Sequence, residues 1–422
     1  MPSAVAVFSG VLCLLAASVQ TSAAQSLDGV EPQLVPDAYV AAVRNLRVET
    51  WSSGLDTPWS LLFLPDGRAL VSERPGRIRL VGADGRLRPT PYAEIADTVA
   101  EGEGGLMGLA LHPRFPDEPY VYAMGTRSVG GKTVNSVFRL RHAGDHAVFD
   151  REILGGIPAG LAHNGGRIAF GPDGMLYIPT GDSWVPDLAQ DHASLAGKIL
   201  RVTPDGGIPD DNPFPNSPVY SYGHRNVQGL AWHPRNGTLF ASEHGPTGER
   251  GLYAHDEINV VVPGGNYGWP LAACAVKRAE FVDPVVCWRT TTTPPSGIAF
   301  HKGDLFVASL GGRSLIRIAF TPNGGPNGGP NGAGGDAGFS ATAIERWFAV
   351  PLEASAATFG DRATKAWRKV ASGWQADSHG RLRDVVEGPD GRLYVLTNNR
   401  NGGPSENGED RILKLTTEGP PT

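Results

Sequence analysis

Short apolar runs alternate with polar turns along most of the chain, and one phrase recurs. A Pro-Asp-Gly turn leads into an apolar strand at 64–71, 171–178 and 388–395. Looser copies follow His112-Pro113, His233-Pro234 and His301-Lys302-Gly303. A Pro or Asp followed by Gly between two apolar runs is a tight-turn signal, so each copy predicts a hairpin. A first strand precedes each turn: 59–63, 108–111, 166–170, 229–232, 297–300 and 383–386. A third follows some of them, as at 77–81 and 198–202. Hairpins recurring at roughly 50–90 residues predict an all-β, six-bladed β-propeller with long insertions, and the irregular spacing leaves five or seven blades open. Short helices are expected only near 35–46 and 188–195.

Composition agrees with this pattern. Gly 56 and Pro 35 among 422 residues are high for a helical protein and suit many tight turns. With 41% hydrophobic and 19% charged residues, the chain is too apolar for disorder. A net charge of −6 offers no basic footprint for nucleic acid and no polybasic patch for a membrane. The apolar run at 5–19, followed by Ser22-Ala23-Ala24, predicts a signal peptide at 1–24 with cleavage after Ala24. An N-terminal extension then covers 25–45, and the propeller 46–422. Nothing after the leader predicts membrane insertion, so the mature protein is expected to be periplasmic or secreted. Cys274 and Cys287 remain after cleavage and favour one disulfide in an exported chain, with two buried thiols as the alternative. The tract from Asn323 to Gly332 reads as a surface loop.

A propeller gathers the loops ahead of its inner strands around one mouth of the central channel. Five polar clusters occupy such loops. His163-Asn164-Gly165-Gly166-Arg167 offers a general base that works near neutral pH. Gly223-His224-Arg225-Asn226 offers planar hydrogen-bonding groups for carboxylates or carbonyls. Glu243-His244-Gly245-Pro246, with Asp256-Glu257-Ile258-Asn259 and Gly264-Gly265-Asn266-Tyr267-Gly268-Trp269-Pro270, supplies hard oxygen donors suited to calcium. Arg381-Leu382-Arg383 places two guanidinium groups on one strand face. Gly102-Glu103-Gly104-Gly105 is glycine-rich but opens a strand, which argues against a nucleotide phosphate loop. The chain has no nucleophile elbow, zinc His-Glu-x-x-His or Walker motif.

Together with Cys287-Trp288, these phrases resemble the soluble quinoprotein sugar dehydrogenases of the glucose/sorbosone dehydrogenase family, in family order from about 50 to 416. The resemblance implies a PQQ-dependent (pyrroloquinoline quinone) aldose dehydrogenase that also uses calcium. Its partners would be a small sugar and an electron acceptor that the sequence does not specify. His163 would take the proton of the sugar C1 hydroxyl while hydride passes to the quinone, giving the lactone. Arg225 would stabilise charge on the quinone oxygen. Asn226, Thr290, Arg381 and Arg383 match quinone-binding positions. The carbonyls of Gly245 and Pro246 match the catalytic calcium site, Glu257 and Tyr267 a structural calcium site, and Trp288 a wall of the sugar pocket.

Four positions depart from the family pattern. Gly311 stands where a quinone-binding Lys is expected, with Arg313 two residues away as a substitute. Glu103 replaces a Gln, Ala162 an Asp beside the base, and Val285 a pocket Tyr. The first two changes reduce compensation of an anionic cofactor. They leave two other readings: a propeller that binds a different ligand without catalysis, and a calcium-dependent sugar lactonase.

Overall fold

The computed structural model describes residues 27–32, 37–40, 46–311, 314–322, 339–347, 379–399 and 410–417. The expected signal peptide, the tract from Asn323 to Gly332 and Arg313 lie outside them. β1 (Asp37–Val40) and β2 (Leu46–Leu55) come first. The chain then builds antiparallel sheets in succession. The first holds β3 (Pro58–Phe63), β4 (Ala69–Glu73), β5 (Arg77–Val81) and β6 (Ala93–Glu94). The second holds β7 (Leu106–Leu111), β8 (Tyr120–Val129), β9 (Lys132–Ala143) and β10 (His146–Pro158). The third holds β11 (Ala169–Phe170), β12 (Leu176–Pro179), β13 (Lys198–Val202) and β14 (Val219–Tyr222). The fourth holds β15 (Val227–Trp232), β16 (Leu239–Glu243), β17 (Asp256–Val261) and β18 (Val286–Trp288). The fifth holds β19 (Pro295–His301), β20 (Asp304–Ser309), β21 (Leu315–Pro322) and β22 (Phe339–Trp347), with β1 added parallel to β22. The sixth holds β23 (Leu382–Glu387), β24 (Leu393–Thr397) and β25 (Asp410–Thr417).

These are the blades of a six-bladed propeller. The sixth is completed from the other end of the chain: β2 pairs antiparallel with β25, from Leu46 opposite Thr417 to Leu55 opposite Asp410. That pairing joins the first and last parts of the sequence and covers a sheet edge that would otherwise be open. The inner strands touch in turn, β23 against β3, β3 against β7, and β15 against β19 against β23.

The recurring turns sit where the sequence puts them. Gly67 donates its N–H to the Leu64 carbonyl and adopts φ +87°, a conformation that favours glycine. The six predicted first strands overlap β3, β7, β11, β15, β19 and β23. Alternation along β5 buries Ile78 and Leu80 and leaves Arg77 and Arg79 partly exposed. Six apolar clusters fill the wedges between neighbouring blades, for instance Phe240, Ile258 and Ile298 between the fourth and fifth. Leu61, Val71 and Tyr394 fill the wedge between the first and sixth. Each fully buried aliphatic side chain there contributes about 1.5–3 kcal/mol.

Both helix expectations fail. The 35–46 segment contributes strand β1, held to β22 by Asp37 against the Arg346 guanidinium at 2.7 Å. In the 188–195 segment only a single 3-10 turn forms, Pro186–Ala189. The buried Lys198 ammonium donates to the carbonyls of Leu188, Ala189 and Ala196, acceptors that a continuing helix would have needed for itself. Cys274 and Cys287 form a disulfide with Cα atoms 5.6 Å apart. No helix among the described residues is long and apolar enough to cross a membrane.

Candidate active site

Charged groups close the channel between the inner strands. Arg167 reaches Asp384 at 2.8 Å across the channel, lies 4.5 Å from the Trp59 ring and donates to the Ser60 hydroxyl. Arg383 donates to the Gln228 side chain at 3.0 Å and lies 5.4 Å from the same indole. Above this floor open two adjoining cavities of about 300 and 280 Å³, which share Glu103, His244 and Pro294. The first is strongly cationic, with Arg74, Arg381 and Arg383 on its wall and Glu103 as its carboxylate. The second is lined by His163, Arg225, Asn226, Gly245 and Pro246. Residues from all five sequence clusters thus meet at one mouth.

His163 is held for use as a base. Its Nδ1 lies 2.7 Å from Asp182 Oδ1, and Asp182 is fully buried. A carboxylate there fixes the proton on Nδ1 and leaves the Nε2 lone pair directed away. Asp182 is itself held: Oδ1 also accepts from the Trp184 amide at 2.8 Å, and Oδ2 from the Trp269 indole N–H at 2.8 Å. His163, Ser183 and Trp184 have φ of +57°, +54° and +65°. Non-glycine residues in that region cost roughly 1–3 kcal/mol each, and such strain concentrates at functional sites.

Glu103 accepts from the His163 amide at 2.9 Å, so its charge is used within the site and also lies near the guanidinium groups of Arg74 and Arg383. Asn226 accepts through Oδ1 from the Gly165 amide, while its buried Nδ2 has no partner. His244 Nε2 and Arg383 Nε are likewise buried without partners. Burial, reinforced by Arg383 and Arg225, holds His244 well below the ordinary histidine range. Burial and the neighbouring Arg381 push Arg383 down to about 9. Uncompensated donors and crowded cations around one cavity fit a planar ligand bearing carboxylates and ring carbonyls.

Gly245 and Pro246 offer carbonyl oxygens suited to a hard cation. Asp256 supports them from below, accepting from Gly245 N at 2.9 Å and Thr293 N at 2.7 Å, and burial pushes it up to about 6. A Cβ on Gly245 would collide with the Ala254 carbonyl oxygen. Glu257 and Glu243 face each other across β16 and β17, both buried. Burial and the Glu243 charge push Glu257 up to about 8, and the nearby Asn259 Oδ1 has no partner. Two buried carboxylates and a free amide oxygen fit a second cation. The Tyr267 phenol is committed to Val260 O and Val262 N, which leaves only its carbonyl for that role.

Several expectations need correction. Arg225 does not present a free guanidinium, because it pairs with Glu249 at 2.5 Å. Thr290 is exposed and lines neither cavity; Thr292, two residues on, lines the second. Trp288 and Val285 pack in the apolar wedge between the fourth and fifth blades, since β18 is the strand farthest from the channel. Ala162 lines the cavity, but the carboxylate that orients the base comes from Asp182 on another turn. Sequence reasoning missed Asp182, Trp184, Glu249 and Arg74. Asp182, in Thr180-Gly181-Asp182-Ser183 directly after β12, was the most accessible of these: a short polar turn leaving an inner hairpin.

The sequence matches the model of the glucose/sorbosone dehydrogenase family over residues 55–327. An aldose sugar dehydrogenase from Escherichia coli K12 is 31% identical over 395 residues, covering 86% of this chain and 92% of that one. Among solved structures, an oxidoreductase of Thermus thermophilus described as a glucose dehydrogenase is 47% identical, with TM-score 0.74, over 88% of this chain and 100% of that one. The PQQ-bound form of an aldose sugar dehydrogenase from Streptomyces coelicolor is 38% identical, with TM-score 0.68, over 90% and 100%. The family match covers well over half of the chain and every inner strand except β23: this protein belongs to the glucose/sorbosone dehydrogenase family.

Proposed function

We propose that the protein oxidises the C1 hydroxyl of aldose sugars to the lactone, with PQQ and calcium bound at the channel mouth. The observation that carries this reading is the His163–Asp182 pair, set beside a cavity walled by Arg74, Arg381 and Arg383. A bound quinone would supply the two-electron acceptor for the C1 hydride, and calcium held by the Gly245 and Pro246 carbonyls would increase its electron demand. His163 Nε2 takes the hydroxyl proton. Asp182 keeps Nδ1 protonated and stabilises the imidazolium that forms. Arg381 and Arg383 hold the carboxylates of the cofactor, and Asn226 Nδ2 and His244 Nε2 offer further hydrogen bonds from the cavity wall. Glu257, Glu243 and the Tyr267 carbonyl hold the structural calcium. The disulfide and the predicted leader are consistent with action in an oxidising compartment outside the cytoplasm.

Reconstitution tests the reading. The mature protein, loaded with PQQ and calcium, should reduce an artificial dye only when an aldose is present. No sugar-dependent reduction despite a quinone spectrum shifted by the protein would overturn it.

A further inference from the structure

Two side chains, Trp184 and Glu249, stand beside His163 and outside the cavity walled by Arg74, Arg381 and Arg383. Trp184 is 55% exposed although its indole lines the second cavity, and its ring lies 5.8 Å from the His163 ring. Its place is fixed by its neighbours: the amide is bonded to Asp182, and the residue adopts left-handed φ directly after another left-handed residue. A strained backbone that keeps an indole in water beside the catalytic base calls for a ligand on that indole.

Glu249 approaches His163 from a different loop, one closed by the Thr247–Tyr253 bridge. Its Oε1 is 3.9 Å from His163 Nε2 and also accepts from Arg225. Its Oε2 accepts from the Thr247 amide at 2.6 Å, so the carboxylate is anchored at its outer end. Burial works against its charge, but Arg225 outweighs that and holds it below the usual carboxylate range. An anionic acceptor therefore flanks the lone pair that receives the substrate proton.

We propose that Trp184 and Glu249 form the sugar-binding wall of this site: the indole stacks against the C–H face of a pyranose ring, and the Glu249 carboxylate accepts from the hydroxyl vicinal to the one that His163 deprotonates. This rests on the aldose dehydrogenase reading. The chemistry it selects is an unmodified pyranose with a free hydroxyl next to C1. A ring carries apolar C–H groups on its faces and hydroxyls at its edge, and this wall presents one partner for each.

The test uses the full chain loaded with PQQ and calcium, with glucose and 2-deoxyglucose as probes. W184A should raise KM for glucose by about tenfold or more while kcat falls far less, and W184F should recover most of the loss. E249Q should narrow the preference for glucose over 2-deoxyglucose by about tenfold. Quinone affinity, read by absorbance titration without sugar, should remain at the wild-type value in all three variants. Unchanged KM in W184A, or unchanged preference in E249Q, with an active wild type overturns the wall and leaves the dehydrogenase reading standing. Loss of quinone affinity in E249Q shows that Glu249 acts through Arg225 and also overturns the wall. A wild type that binds quinone but turns over no aldose overturns the dehydrogenase reading and the wall with it.

Discussion

Replacing Asp182 by Asn changes only one atom, and the structure gives that atom no acceptable position. The carboxylate takes three hydrogen bonds from donors on both sides: His163 Nδ1 at 2.7 Å, the Trp184 amide at 2.8 Å and the Trp269 indole at 2.8 Å. An amide can accept through its oxygen alone. If that oxygen faces His163 and Trp184, the NH₂ meets the Trp269 N–H, and two buried donors oppose each other at a cost of about 1–3 kcal/mol. If the amide turns over, its NH₂ faces His163 Nδ1, drives the proton to Nε2 and removes the lone pair that accepts the substrate proton. The residue is fully buried, so water cannot relieve either arrangement. D182N should therefore lower kcat by about 10²–10⁴-fold, the range expected when a positioned base is disabled. Dye reduction by the reconstituted enzyme measures kcat, an absorbance titration measures quinone affinity, and urea unfolding measures stability. Quinone affinity should stay near wild type, because Asp182 lines neither cavity. A D182N enzyme whose kcat stays within about threefold of wild type would refute the assignment of His163 as the base.

Other consequences follow from the same geometry. G245A places a methyl group against the carbonyls of Ala254 and His255, so calcium-dependent thermal stabilisation should largely disappear; a wild-type calcium response would count against the Gly245 and Pro246 carbonyls as the ion's donors. Glu257 is pushed up to about 8 from an ordinary 4.5, so the calcium-free protein should be most stable below about pH 4.5 with respect to this group and lose that contribution as pH rises through 8. Calcium neutralises the buried pair, so the stabilisation it adds in a thermal shift assay should be larger at about pH 8.5 than at about pH 5.5 by this linkage, and an equal increment at both would exclude Glu257 as a ligand. The disulfide spans 13 residues of sequence, and its reduction should cost about 3 kcal/mol in urea unfolding; a midpoint indifferent to reductant would show that the loop contributes nothing to the global transition.

The architecture was legible because it is local. A Pro-Asp-Gly turn between two apolar runs fixes a hairpin with no help from the rest of the chain, and six such hairpins leave few closed arrangements. The closure by β2 and the added strand β1 were not legible, since each pairs with a segment near the far end of the sequence, and no local signal in 35–46 distinguishes an edge strand from a short helix. The site divides along the same line. Residues ahead of inner strands, His163, Arg225 and Arg381, could be placed at the mouth from topology alone. Trp288 could not, because its motif says what precedes and follows it but not that β18 is the outermost strand of its blade. Asp182 and Glu249 act on His163 from other turns, and their partner is decided by which carboxylate reaches the imidazole in space.

The charge balance of the cofactor cavity shows what a one-residue comparison misses. Gly311 in place of a lysine removes one cation, and Glu103 in place of a glutamine adds one anion, which by counting alone weakens the hold on a quinone bearing carboxylates. In three dimensions a side chain at 311 would meet the Pro294 ring at 2.8 Å, and Pro294 lines both cavities, so this backbone cannot carry a lysine there without reshaping the mouth. Arg74, at the end of β4, contributes a guanidinium to the same cavity, fixed by the Gly104 carbonyl at 2.9 Å. Glu103 lies close enough to offset Arg74 and Arg383 while its carboxylate secures the His163 amide. With Arg381 included, three cations surround one anion that already serves the base, so the cavity keeps the positive excess that a polycarboxylate ligand requires.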